Sequence, residues 1–311
     1  MAGAAAGRID IHHHFFAPEY LGAIGAQAQR PEVKGWSLQA TFEEMDKNGV
    51  DHAMLSLSPP GIHRGDREAT KKLARAINEH AKRLRETHPD RFGHFASVPM
   101  PNMDDALTEI AYALDTLKAD GVQLMTSYHD KWLGDPDFAP LFAELNKRKA
   151  LVFVHPLLPD CCAGALNWIP PAMMEFTHDT NRTVASLLFT GTLTRHPDIR
   201  WIFCHAGAAV PLLAGRWVTT HAERVFKEKI PNGVDAELKK LHYDVALAAN
   251  KPTLAALFTY VPVSQVLLGS DYPFGLAGDS LRGLNEFGLS EADLAAIHRG
   301  NAQRLIPRLK G

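Results

Sequence analysis

Leu151-Val152-Phe153-Val154-His155-Pro156 is the stretch on which the fold is read. Four apolar, β-prone residues run into a histidine, and the proline that follows has no backbone N–H with which to extend a ladder. Unbroken apolarity suits a parallel strand buried on both faces. Upstream, Phe138 to Lys149 has the apolar period of a helix, and the same alternation of short β-rich run and helical stretch fills the chain. The other runs are Ile9 to His14, His52 to Leu57, Phe92 to Val98, Val122 to Met125, Ile199 to His205, Leu241 to Ala246 and Val266 to Ser270. Helices are expected over Arg67 to Thr87, Met103 to Lys118, Thr180 to Thr194 and Val210 to Phe226 as well. Eight strands with intervening helices predict an α/β fold of the (β/α)8 TIM-barrel type, one domain over residues 8–311. An open doubly wound sheet is the competing architecture, but no Gly-rich dinucleotide fingerprint follows the first strand. The connections Phe15 to Ala40 and Pro156 to His178 are too long for simple loops and are expected to wall a pocket.

Composition narrows the function. The chain has 311 residues, 46% of them hydrophobic, and a formal charge of −2 with both signs interspersed. That balance predicts neither a nucleic-acid surface nor a polybasic membrane anchor, and points to a small-molecule partner. No run approaches the roughly 18 apolar residues of a membrane span, and Met1 to Gly7 reads as a short lead-in rather than a signal peptide. Three cysteines, Cys161, Cys162 and Cys204, fit a reducing cytoplasm.

Five polar residues stand at predicted strand ends: His12 and His14, His155, His205 and Asp271. Alternation along a strand puts His12 and His14 on one face and His13 on the other. In a barrel, the ends of strands 1, 5, 6 and 8 meet at one mouth. Four of these side chains offer the nitrogen and carboxylate ligands of a borderline divalent metal, and the fifth is placed to move a proton. A carboxylate ending the apolar run Val266 to Ser270 is costly unless paired or metal-bound. His205 precedes the small run Ala206-Gly207-Ala208-Ala209, which lets a ligand approach the backbone.

Asp10-Ile11-His12-His13-His14, Phe153-Val154-His155-Pro156, Phe203-Cys204-His205-Ala206-Gly207 and Gly269-Ser270-Asp271-Tyr272-Pro273-Phe274 resemble the signatures of the amidohydrolase superfamily. The likeness runs from about Arg8 to Arg304. Within the superfamily it points to the branch containing aminocarboxymuconate semialdehyde, resorcylate and 6-methylsalicylate decarboxylases. The resemblance implies that His12, His14, His155 and Asp271 hold one divalent metal, Zn²⁺ before Mn²⁺, with His205 as acid/base residue, no organic cofactor, and a homo-oligomer, dimer or tetramer. Two-metal members carry a bridging lysine on strand 4. Gly121 to Thr126 has none, so a single metal is expected.

The muconate-type relatives also carry an arginine after strand 1 for a second carboxylate. Here Val33-Lys34-Gly35-Trp36-Ser37-Leu38-Gln39-Ala40 offers none, which argues against a dicarboxylate. Gly134-Asp135-Pro136 and Phe189-Thr190-Gly191-Thr192-Leu193 look like their counterparts in 6-methylsalicylate decarboxylases. Trp36, Trp168, Met173 and Phe176 would form an apolar wall for an aromatic ring, or merely pack the loops. Arg216 stands where relatives place a substrate-contacting or dimer-interface arginine. Asp244 either caps the segment after strand 7 or orients His205, and Cys204 is expected to face away from the mouth as a small buried residue.

The expected activity is non-oxidative decarboxylation of a salicylate-like o-hydroxy aromatic acid such as 6-methylsalicylate, with Asp271 the first choice as proton donor and His205 as helper or alternative. The same ligands would serve a metal-dependent hydrolase of an amide or lactone, which is the competing enzyme reading.

Overall fold

The computed structural model describes residues 7–63, 65–220 and 222–310; the lead-in Met1 to Ala6 lies outside them. Each apolar run becomes a strand: β1 Arg8–His14, β2 Val50–Ser56, β3 Phe92–Ser97, β4 Gly121–Met125, β5 Leu151–His155, β6 Arg200–Phe203, β7 His242–Asp244 and β8 Val266–Leu267. Each pairs in parallel with its sequence neighbour. The ends of the sheet meet through Ile11 N–H to Leu268 O at 2.9 Å, Asp271 N–H to His12 O at 2.8 Å and His14 N–H to Tyr272 O at 2.8 Å, so the strands close into a nearly complete barrel.

A helix follows every strand: Leu38–Lys47, Arg67–Thr87, Met103–Ala111, Ala139–Lys147, Glu175–Phe189, Val210–Thr219, Lys251–Tyr260 and Ala277–Phe287. Local chemistry starts several of them. Ser37 accepts from Ala40 N–H at 3.0 Å and Asp66 from Ala69 N–H at 2.6 Å, both satisfying first-turn donors. The helix expected from Thr180 begins five residues earlier, with Glu175 in its electropositive first turn, and stops at Phe189 before Gly191 turns left-handed at φ 78°. The connection after β1 is not unstructured: Pro18–Ala23 and Pro31–Gly35 are short helices, each opened by a proline.

The barrel interior is filled by Ile9, Ile11, Met54, Phe95, Phe153, Ile202, Cys204 and Leu267. Phe95 and Phe153 stack at 5.0 Å in its centre. Ala302, Leu305, Ile306 and Leu309 of the C-terminal segment join the same cluster. Arg200, at the start of β6, donates to Leu305 O at 2.6 Å, so this segment plugs the barrel at the N-terminal ends of the strands. The opposite end is left for chemistry, as the fold requires.

Candidate metal centre

β1 is bulged between Asp10 and His13, and the irregularity lets both Ile11 and His12 face inward instead of alternating. His12 and His14 then lie with ring centroids 4.9 Å apart, and His155, at the end of β5, is 5.1 Å from His12 and 4.9 Å from His14. All three are buried. Each points Nε2 inward because Nδ1 is engaged behind it. His12 Nδ1 donates to Asp244 Oδ2 at 3.0 Å, His155 Nδ1 donates to Pro156 O at 2.7 Å, and His14 Nδ1 lies 3.2 Å from Ser56 Oγ. An Nδ1–H bound to an acceptor leaves Nε2 with a free lone pair.

Asp271 completes the group. Its Oδ1 is 3.2 Å from His12 Nε2 and 2.9 Å from His14 Nε2, and its Oδ2 is 3.3 Å from His205 Nε2. The ligand atoms of His12, His155, His205 and Asp271 all lie within 4.8 Å of one another. His155 Nε2 is buried without a hydrogen-bond partner, and His12 Nε2 faces His14 Nε2 at 3.2 Å. Lone pairs crowded in this way repel unless a cation sits among them, and three imidazoles with one carboxylate are a fitting donor set for a divalent metal. Burial, with His14 and His12 beside it, holds His155 well below its ordinary pKa and so in the neutral, ligating form. Burial alone would raise Asp271, but His12, His14 and His205 outweigh it and keep the carboxylate well below its usual range.

Asp271 and His205 both depart from the strands expected to carry them. β8 ends at Leu267 and β6 at Phe203, while Asp271 (φ 64°) and His205 (φ 56°) are left-handed. Cys204 keeps the alternation of β6 and faces the barrel interior with Ile202, its Sγ donating to Val154 O at 3.0 Å, rather than away from the mouth; it is the left-handed turn at His205 that departs from the alternation. Cys204 is a buried residue nonetheless. Gly207 continues the left-handed turn at φ 70°, and a Cβ there would meet the Tyr243 ring at 2.6 Å.

Asp244 serves both expected roles and a third. Its Oδ1 accepts from His205 N–H and Ala246 N–H, each at 3.0 Å, while Oδ2 holds His12. Sequence reasoning missed Asp10, which accepts from His12 N–H at 3.1 Å, Ser270 N–H at 3.0 Å and Ser270 Oγ at 2.5 Å and so ties β1 to the Asp271 turn. The cost of a buried carboxylate, applied above to Asp271, would have flagged it equally well. On β4, Gln123 is occupied with the backbone of Leu57, at 2.7 and 2.6 Å.

A cavity of about 450 Å³ opens directly on His155, His205 and Asp271, with Phe176 and Phe274 among its walls. Phe176 stands edge-on to His155 at 6.3 Å. The expected apolar wall needs correcting in its other members. Trp36 packs against Phe16 at 5.7 Å, Trp168 is 77% exposed, and Met173 is exposed as well. Arg216 is exposed one helical turn beyond Leu212, hence farther from the mouth. Among the described residues these four line neither this cavity nor the larger one beside it. Arg30 lines both, from a part of the first connection just before the stretch inspected for an arginine.

With this geometry in place, comparison with known proteins becomes specific. The family model described as amidohydrolase matches residues 9–308. The chain belongs to the amidohydrolase family. A 6-methylsalicylic acid decarboxylase of Aspergillus aculeatus is 35% identical over 97% of this chain and 97% of its own. The 6-methylsalicylic acid decarboxylase of Penicillium expansum is 34% identical over 98% of this chain and 97% of its own. A dihydroxybenzoic acid decarboxylase of a Polaromonas species, solved with bound manganese and 2-nitroresorcinol as inhibitor, superposes with a TM-score of 0.85 at 20% identity, over 98% of each chain, a likeness in fold. Among the described residues no helix is long and apolar enough to cross a membrane.

Proposed function

We propose that this amidohydrolase is a carboxy-lyase that removes carbon dioxide, without oxidation, from a salicylate-like aromatic acid bearing a hydroxyl beside the carboxylate. The observation that carries the reading is the convergence of the inward Nε2 atoms of His12, His14 and His155 with Asp271 at the floor of a cavity walled by Phe176 and Phe274. Full-length relatedness to two 6-methylsalicylic acid decarboxylases supports it, and makes 6-methylsalicylate the first substrate to test.

His12, His14, His155 and Asp271 would hold one divalent metal, Zn²⁺ before Mn²⁺, because two or more imidazoles with a carboxylate suit zinc. When bound, it supplies a Lewis acid that favours the phenolate and a template for the adjacent carboxylate and hydroxyl. The protein's own groups then handle the proton. The ring carbon bearing the carboxylate must gain a proton as the bond to the carboxylate breaks and its electron pair stays with the ring. Asp271 Oδ2 and His205 Nε2, 3.3 Å apart at the cavity wall, form the pair that delivers it. Asp271 strongly favours its charged form, and His205 Nε2 beside it is the group through which a proton would reach the ring, directly or by way of the carboxylate. Phe176 and Phe274 pack the ring, and Arg30 places a cation at the rim that favours an anionic substrate. The remaining sites expected from sequence, Trp36, Trp168 and Arg216, have no part in this scheme.

A panel of salicylates, meta-hydroxybenzoates, benzoates and lactones, followed for carbon dioxide and for ring opening, tests it. Carbon dioxide from the ortho-hydroxy acids alone is expected. Lactone opening with no carbon dioxide from any acid would favour the metal-dependent hydrolase instead.

A further inference from the structure

The mouth of the barrel is two chambers. The metal-side cavity stands over the ends of β5 to β8, whereas a second cavity of about 830 Å³ stands over the ends of β2 to β5. They share Arg30, Pro59, Ala172 and Phe176, so the second opens from the first beside the ring wall. A single-ring acid is smaller than the drug-sized ligands that occupy about 300–1,000 Å³, and the metal-side cavity alone would contain it.

The second chamber is lined by Leu57, Ile62, Val98, Met125, Leu157 and Leu158. The first four are almost wholly buried, which makes them a preformed apolar surface rather than loop tips. Its polar margin does not call for an anion: Asp130 and Asp160 lie there, and His63 and His129 bond each other, Nε2 to Nε2, at 2.7 Å. Among the described residues, a second carboxylate on the substrate would meet two carboxylates of the protein and no cation beyond Arg30 at the neck.

We infer that the true substrate is an o-hydroxy aromatic acid carrying a neutral, mainly aliphatic chain of several carbons on its ring, with the ring beside Phe176 and the chain in the chamber over β2 to β5. This rests on the decarboxylase reading above and extends it to a substrate class: an alkyl salicylate rather than a methyl one. The upstream reaction must then build a ring already bearing its side chain.

The test is a homologous series on the whole metal-loaded protein: salicylates with methyl, propyl, pentyl and heptyl groups ortho to the carboxylate. Burying each added methylene should raise kcat/KM about three- to fourfold, mainly through KM, until the chamber is full. Leu158→Trp, which adds bulk to the chamber at a residue that lines no part of the metal-side cavity, should lower the ratio of pentyl to methyl kcat/KM at least tenfold. A series that is flat or falls beyond methyl, with the methyl acid turned over, would overturn the chain-binding chamber while leaving the decarboxylase reading intact. Carbon dioxide from no member of the series would overturn both.

Discussion

Asp244→Asn replaces a buried oxygen by an NH₂ group of the same shape, and the local hydrogen bonds dictate which oxygen is lost. Two backbone donors, His205 N–H and Ala246 N–H, both point at Oδ1 from 3.0 Å. An amide nitrogen there would face two donors, so the Asn carbonyl must take that position and its NH₂ must take the place of Oδ2, 3.0 Å from His12 Nδ1. His12 can then only accept at Nδ1, which moves its own proton to Nε2, the atom turned towards His14 and Asp271. A protonated Nε2 cannot ligate. Losing such a partner behind a metal-bound histidine typically costs about 10–100-fold in affinity, or roughly 1.4–2.7 kcal/mol. Zn²⁺ titration by calorimetry or with a competing chelator should show that loss, while thermal unfolding of the metal-free variant shifts little because the backbone bonds survive. Wild-type affinity in Asp244→Asn would refute the tautomer argument. Equal weakening by unfolding of the apo protein would refute the claim that the effect is local.

Three further outcomes follow from the same geometry. His155→Ala should remove most of the metal, and elemental analysis should fall from about one ion per wild-type chain; two ions per chain would contradict a mononuclear centre. His205→Ala should retain its metal and lose about 10²–10⁴-fold in rate, the usual contribution of a proton-transfer residue, and an undiminished rate would remove it from the chemistry. His94, on β3, is buried with neither ring nitrogen partnered, and burial pushes its pKa down to about 3. Between pH 6.5 and 3 the unfolded chain takes up a proton there that the folded chain refuses, so stability is full above that window and falls as pH drops. From pH 7 to pH 5 the loss from this one group is about 2 kcal/mol, and His94→Leu should recover it in urea unfolding at the two pH values.

The fold was legible because parallel strands buried on both faces read as unbroken apolar runs, and Leu151–His155 has the same limits in sequence and structure. The last two strands were overextended, since Val245-Ala246 and Leu268-Gly269-Ser270 are equally apolar or small but run into turns rather than ladders. The candidate ligands were picked out by residue chemistry at strand ends, and the convergence of His12 and His14 by alternation. What escaped was set by backbone angles. The left-handed His205 and Asp271 redirect their side chains, so His205 does not alternate with Cys204, which faces inward with Ile202. Nor does a local pattern reveal that Trp168 faces solvent while Arg30 reaches both chambers, because short helices and turns decide where each long connection points.

The central claim is tested most directly by turnover of 6-methylsalicylate in deuterium oxide, with metal-loaded and chelator-stripped protein side by side. The account predicts carbon dioxide and 3-methylphenol from the loaded protein only, with one deuterium at the ring carbon that had held the carboxylate. Product formed equally by the stripped protein, deuterium elsewhere on the ring, or no carbon dioxide alongside opening of a lactone would contradict it.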